Sequence, residues 1–223
     1  MKALKGILVV LAVVTLSSCA TTRYSSGVTP EQVGTMALLE PVSYMSYIQS
    51  TREEVFDPET SAQSASMVKD LVMQNFPEIK TVLPLDDYWD RDRLESEIKS
   101  LYVVDAKHLA QSWVPSSILR FLKDQGCRYG VAVFATGFTR DDKEYKREAV
   151  FGALIGVLTA IISFGMYTYV PMPFEFSNSL YMVVVDAEED SIVFYDRAVT
   201  EEYHPLDAKK LNRRISLFRK HFK

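Results

Sequence analysis

Residues 129–139 read Tyr-Gly-Val-Ala-Val-Phe-Ala-Thr-Gly-Phe-Thr, and this stretch decides the fold. Its apolar side chains follow one another without alternation, which is the pattern of a central strand covered on both faces. Farther along the chain, Ser179 to Asp186 and Ser191 to Asp196 flank the turn at residues 187–190. These two segments predict a β-hairpin beside the central strand.

Helical patterns lie on either side of these strands. Asp57-Pro58 predicts a helix start, because aspartate suits the cap and proline the first turn. Gly126 stands in the stop position of a second predicted helix, Pro115 to Gln125. Asp207 caps the last one, which carries a single apolar stripe of Leu211, Ile215, Phe218 and Phe222. With a first strand predicted at Thr35 to Ile48, the chain is expected to adopt an α+β fold in which helices pack on a single mixed β-sheet.

The amino terminus predicts export. Lys2 and Lys5 precede an uncharged apolar run, Gly6 to Leu16, that is too short for a permanent membrane-spanning helix and ends in small residues. The sequence Leu16-Ser17-Ser18-Cys19 resembles the lipobox of bacterial lipoproteins, which implies cleavage before Cys19 and attachment of acyl chains such as palmitate. An ordinary secretory signal peptide with a chance cysteine is the alternative.

Three regions are expected from this reading. Residues 1–18 are predicted to be the lipoprotein signal peptide and residues 19–33, rich in Ser and Thr, a lipidated tether. Residues 34–223 are predicted to be a single α+β domain. Ala20 occupies the position where an aspartate would resemble an inner-membrane retention signal, so we expect an outer-membrane protein facing the periplasm.

The composition limits the partners. The chain has 25 Lys and Arg against 29 Asp and Glu, a net charge of −4 at pH 7, so a generally cationic nucleic-acid binder is not expected. Hydrophobic residues make up 48% of the chain, which suffices for one core. If Cys19 is acylated, Cys127 has no partner left in the chain for a disulfide.

The second half of the chain carries a family resemblance. Gly126 precedes the strand at Tyr129, and Asp186 leads into the turn before Ser191. This order resembles a group of envelope lipoproteins whose fold is similar to the TolB amino-terminal domain, including the curli secretion channel lipoprotein and the penicillin-binding-protein activator lipoprotein. Arg128 stands where an aspartate is common, and the turn lacks the usual glycine. The resemblance implies a fold and a compartment more than a function.

The uncharged run Ala149 to Phe174 is the second strong feature. It is long enough to span a membrane, but a span would put the strand at 129–139 and the hairpin at 179–196 on opposite sides and divide the sheet. We therefore expect an apolar helical or hairpin insertion at 149–174. It would pack on its own domain or on a neighbouring subunit, dip into the lipid surface or, as the least favoured alternative, span. The expected partner or membrane contacts are Phe151, Leu154, Ile155, Leu158, Ile161, Ile162 and Phe164.

No catalytic, metal or cofactor site is expected. The chain lacks a Gly-x-Ser-x-Gly elbow, a phosphate-binding glycine loop and a dinucleotide fingerprint. Its histidines, His108, His204 and His221, have no metalloprotease or finger spacing. Glu201, Glu202, His204 and Asp207 are close in sequence, but the predicted cap role of Asp207 disfavours a metal site there.

These observations favour a non-enzymatic, membrane-anchored envelope lipoprotein. It would bind or scaffold an envelope partner through its apolar segment, and a protein partner or self-association is expected beside the lipid anchor. Two other classes stay open: an oligomeric secretion or pore component, and an enzyme that acts on envelope polymers.

Overall fold

A computed structural model describes residues 23–50, 53–101, 114–162 and 173–222. Eight strands in these residues form one sheet: β1 (Arg23–Ser25), β2 (Met36–Leu39), β3 (Val42–Ser50), β4 (Glu53–Phe56), β5 (Ile79–Leu83), β6 (Tyr129–Arg140), β7 (Phe176–Asp186) and β8 (Ser191–Glu201). The main path through the sheet is β1-β8-β7-β6-β2-β5, and β3 lies between β6 and β4.

The helices of the same residues cover both faces of the sheet. They are α1 (Pro30–Val33), α2 (Pro58–Asn75), α3 (Arg91–Ser100), α4 (Ser116–Asp124), α5 (Asp142–Ile162) and α6 (Ala208–His221). Apolar residues of α2 and α6 pack in one core cluster, and those of α3 and α4 pack in another. This confirms the predicted α+β class with a single mixed sheet.

Strand β6 lies between these two clusters. Val131 and Val133 belong to the cluster with α2 and α6, whereas Ala132 and Phe134 belong to the cluster with α3 and α4. One edge of β6 pairs antiparallel with β7, from Tyr129 opposite Asp186 to Thr139 opposite Phe176. The predicted central strand is thus confirmed.

The other edge of β6 pairs in parallel with β2 and then with β3. Both were predicted as one strand, Thr35 to Ile48. The structure divides it at Glu40 and Pro41, where proline lacks the amide hydrogen that a continuous ladder needs. The amide of Glu40 instead donates to the carbonyl of Leu83, at 2.9 Å.

Strand β1 lies within the region that we predicted to be a tether, residues 19–33. It pairs antiparallel with β8, with Arg23 opposite Asp196 and Ser25 opposite Phe194, and Val33 of α1 is buried. The described part of that region therefore belongs to the fold. A short edge strand is stabilised by backbone hydrogen bonds to its neighbour, so it needs no apolar alternation in its sequence. Cys19 lies outside the described residues.

The helix boundaries follow the predicted caps. The carboxylate of Asp57 accepts from the amide of Thr60 at 2.9 Å, and that of Asp207 accepts from the amide of Lys210 at 3.0 Å. Gly126 has a φ of 66°, which glycine adopts more easily than other residues. All four residues of the predicted apolar stripe are buried, three of them on α6 and the fourth, Phe222, directly after it.

Gly137 permits a close approach of β6 and β7. A Cβ atom at this position would lie 2.0 Å from the carbonyl oxygen of Ser177, which is backbone and has no rotamer to change. At Gly126 an added Cβ would have no heavy atom within 4 Å, so only the left-handed backbone conformation opposes a side chain there.

We expect Gly137→Ala to lower the free energy of unfolding more than Gly126→Ala. The first substitution forces the strands apart and should cost about 2–3 kcal/mol, and the second should cost about 1 kcal/mol from backbone strain. Urea unfolding of both variants measures the difference. Equal losses would show that the contact at Ser177 relaxes without cost.

The hairpin of β7 and β8 is closed by the carboxylate of Asp186. It accepts from Arg128 at 3.2 Å (Nε) and 2.9 Å (Nη2) and from the amides of Glu188 and Glu189 at 3.0 and 3.3 Å. Arg128 stands where the lipoprotein pattern commonly has an aspartate, and it pairs directly with Asp186, which matches that pattern. Burial by itself raises the pKa of Asp186, but these hydrogen bonds outweigh it and the pKa lies below its usual value.

The depressed pKa of Asp186 gives stability above the unfolded-state pKa of about 4, which is lost as the pH falls through the folded-state value. We therefore expect Asp186→Asn to lower the free energy of unfolding by about 1–3 kcal/mol at pH 7, and by less at pH 3. Urea unfolding at both pH values tests this. Asp190→Asn, at an exposed position of the same turn, is the matched control and should change stability by less than about 0.5 kcal/mol.

Candidate functional site

The chain leaves the sheet at the end of β6 and returns to it at the start of β7, beside the point where it left. β6 ends at Arg140 and β7 begins at Phe176, and Phe176 is paired with Thr139. The strands before and after residues 141–175 therefore remain neighbours at one end of the sheet. The helix begins at Asp142, seven residues before the uncharged run at Ala149.

Polar contacts fix the first turns of α5 to the end of the sheet. The amide of Asp141 donates to the carbonyl of Ile48 at 3.0 Å, and the hydroxyl of Tyr47 donates to the Asp141 carboxylate at 3.1 Å. That carboxylate also accepts from the amides of Glu144 and Lys143, and these bonds lower the pKa of Asp141. Arg140, the last residue of β6, forms an ion pair with Glu148 at the end of the second turn of α5, at 2.5 Å.

The later turns of α5 expose a continuous apolar surface, which we call the apolar face. At 100° per residue its members lie within about 120° of the helix circumference. Their exposed fractions run from 48% to 71%, and they are Val150, Phe151, Leu154, Val157, Leu158 and Ile161. On the opposite side Gly152 is buried, and Ile155 and Thr159 are half-buried. The helix therefore turns one side toward its own chain and leaves the other uncovered by the described residues.

The predicted contact residues do not all lie on the apolar face. Phe151, Leu154, Leu158 and Ile161 lie on the apolar face, whereas Ile155 is half-buried on the other side. The side chain of Ile162 and all of Phe164 lie outside the described residues. The sequence prediction missed Val150 and Val157, which stand one helical turn before Leu154 and before Ile161.

Three cations share the angular position of the apolar face in the first turns of α5. They are Lys143, Lys146 and Arg147, and all are exposed. Lys146 pairs with Asp142 at 2.8 Å, and this exposed pair contributes little to stability. Arg147 pairs with Glu144, whose side chain is only 16% exposed. One side of the helix therefore changes from basic to apolar along its length.

Within the described residues, no helix combines the length and the hydropathy that a membrane span requires.

The residues weighed for metal or catalytic chemistry have other roles. The Nδ1 atom of His204 accepts from the amide of Leu206 at 3.1 Å, and Glu201 forms an ion pair with Arg214. His221 Nδ1 lies 2.5 Å from the carboxylate of Asp196, whose pKa is raised by burial in spite of this contact. In the part of the chain that the structure describes, no three His, Cys, Asp or Glu residues are grouped to hold a metal ion. His108 lies outside that part.

No protein-family model matches the chain, and no curated protein matches its sequence. Among solved structures it is similar to the PelC dodecamer from Paraburkholderia phytofirmans, with a TM-score of 0.39 and 7% identity over 90% of this chain and 94% of that chain. It is also similar to the LpoB C-terminal domain from Salmonella enterica, with a TM-score of 0.34 and 9% identity over 80% of this chain and 88% of that one. The same domain from Escherichia coli gives a TM-score of 0.32 and 10% identity over 79% and 97%. These values carry no inference about the activity or the partners of this chain.

The exposure of the apolar face predicts that it contributes little to folding. We expect Leu154→Ala and Leu158→Ala each to change the free energy of unfolding by less than about 0.5 kcal/mol. Leu211→Ala is the matched control, because Leu211 is fully buried on α6 and its truncation should cost about 2–5 kcal/mol. Losses of similar size at all three positions in urea unfolding would mean that the apolar face packs inside the fold.

Proposed function

We propose that this chain is a non-enzymatic lipoprotein of the bacterial cell envelope. In this proposal it is lipid-anchored at Cys19 in the outer membrane, faces the periplasm and uses the apolar face of α5 to bind another component of the envelope. The observation that carries the proposal is the exposure of six large apolar side chains side by side on one helix.

An uncovered surface of this kind favours binding. Monomeric soluble proteins rarely expose large contiguous apolar patches, and those that do mostly use them as contact sites. Complete burial of one aliphatic or aromatic side chain is worth about 1.5–3 kcal/mol. Each of the six side chains of the apolar face is about half exposed. Covering the face would therefore contribute a part of this free energy for each of the six.

The position of β1 supports anchorage close to the membrane. Cys19 and Arg23 are four residues apart, and the chain reaches at most about 3.5 Å per residue, or about 14 Å in all. An acylated Cys19 would therefore hold the folded part of the chain against the membrane surface. Several acyl chains together make such attachment durable, whereas a single chain binds reversibly.

Two measurements on the full chain, expressed with its own leader, test the proposal. Mass spectrometry of the amino-terminal peptide should find acyl chains on Cys19. For the contact, we expect Leu154→Cys in a Cys127→Ser background to react at least tenfold more slowly with a membrane-impermeant maleimide in envelope preparations than in urea.

Gln63→Cys in the same background is the matched control, because Gln63 is an exposed residue of a different helix, α2. It should react equally fast under both conditions. An intact leader or an unmodified Cys19 would refute the lipoprotein part of the proposal. Rapid labelling of Leu154→Cys in the envelope would refute the contact.

A further inference from the structure

We infer that a cavity at the edge of the sheet binds the carboxyl-terminal end of an extended peptide. The cavity has a volume of about 270 Å³ and lies between the start of β3, α2 and the first turns of α3. The parallel strands β2 and β5 both end beside it, and ligands commonly bind outside the carboxyl ends of parallel strands. None of the described residues that line it belongs to α5. The inference therefore goes beyond the function proposed above and requires neither the apolar face nor an acylated Cys19.

The outer edge of β2 and β3, which faces away from β6, has a gap. β5 pairs with this edge along Met36–Leu39, and β4 pairs with it from Ser46 to Ser50. Between these two stretches, no strand of the described residues lies beside the edge. An open stretch of sheet edge is a site to which an extended peptide can add through backbone hydrogen bonds.

The amide and the carbonyl of Ser43 point into this gap. Two residues farther on, the carbonyl of Met45 accepts from the amide of Asp57 at 2.9 Å, and the amide of Met45 donates to the hydroxyl of Ser61 at 2.8 Å. Both backbone groups of Met45 thus point away from β6. The register of β3 with β6 is regular, and the backbone groups of a strand alternate between its two edges, so those of Ser43 point the same way. No described residue binds them there.

Ser43 can be reached from the cavity. It forms part of the cavity wall and is half-buried, whereas its hydroxyl oxygen is fully buried and has no hydrogen-bond partner in the part of the chain that the structure describes. The exposed surface of Ser43 therefore comes from its backbone and Cβ atoms. One unpaired donor and one unpaired acceptor at a cavity wall match a peptide backbone, which supplies both partners.

One cation of the cavity wall has no partner. The other charged side chains of the wall are already engaged: Arg91 pairs with Asp86, Glu95 pairs with Lys99 at 2.6 Å, and Glu40 accepts from the amide of Leu85 at 3.2 Å. Lys69 of α2 forms no ion pair with any described residue. An ammonium group in the same cavity as a free strand edge matches a peptide that ends in a carboxylate. The small volume also suits a chain end better than a long segment.

The test titrates the purified full chain, in detergent, with N-acetyl-trialanine. Because the contacts are made to the peptide backbone and its carboxylate, we expect saturable binding in calorimetry and slower hydrogen exchange of the Ser43 amide in the complex. The carboxamide of the same peptide should bind about tenfold more weakly, since it loses a charge-assisted hydrogen bond.

Two pairs of variants locate the peptide. Lys69→Met should weaken binding of the free acid about tenfold, whereas Lys123→Met, which removes an exposed lysine of α4, should leave the affinity unchanged. Ala62→Leu fills the cavity from α2 and should abolish binding. Gln63→Leu, at the next position of the same helix but outside the cavity wall, should not.

The other outcomes overturn the inference. Equal affinities for the acid and the carboxamide would show that no carboxylate is recognised. Unchanged binding to Ala62→Leu would place the peptide outside the cavity, and the absence of saturable binding would remove the site altogether. None of these results bears on the acylation of Cys19 or on the apolar face, so a failure here is distinguishable from a failure of the proposed function.

Discussion

The pairing of β6 with strands on both of its edges and with core on both of its faces is the constraint on which the rest of the structure depends. β7 pairs antiparallel with one edge of β6, and β2 and β3 each pair in parallel with the other edge. Two apolar clusters cover the side chains from Val131 to Ala135. A strand buried in this way has no alternative partner in water for its amides and carbonyls. Its register therefore fixes where every neighbouring element begins and ends.

The location of α5 is one consequence of that register. Because Thr139 and Phe176 are paired, the chain between them has to leave and return at the same end of the sheet. The ion pair of Arg140 with Glu148 and the contacts of Asp141 with β3 then set the direction of the first turns. The apolar face is presented by a helix whose base is fixed by polar contacts, although its own side chains are not required for the core.

Much of this fold could be predicted from local sequence because the responsible interactions are local. A cap such as Asp57 bonds to an amide three residues away, and the stripe on α6 repeats with the helical period. The division of the first strand at Glu40 and Pro41 and the pairing of β1 with β8 depend on distant partners, so no local pattern indicates them. The apolar face was predictable only in part. The uncharged turns of α5 have no amphipathic period, so the side that the fold covers is known only from the burial of Gly152 and the partial burial of Ile155.

An exposed apolar face on a folded chain carries a cost in water, because it favours aggregation and adds little to folding. That cost is small for a protein that is never free in solution. If acylation at Cys19 places the chain on a membrane before or while it folds, the apolar face is close to a lipid phase throughout its lifetime. In the proposed function, contact with another component of the envelope would cover these side chains, which would be a liability in a secreted soluble protein.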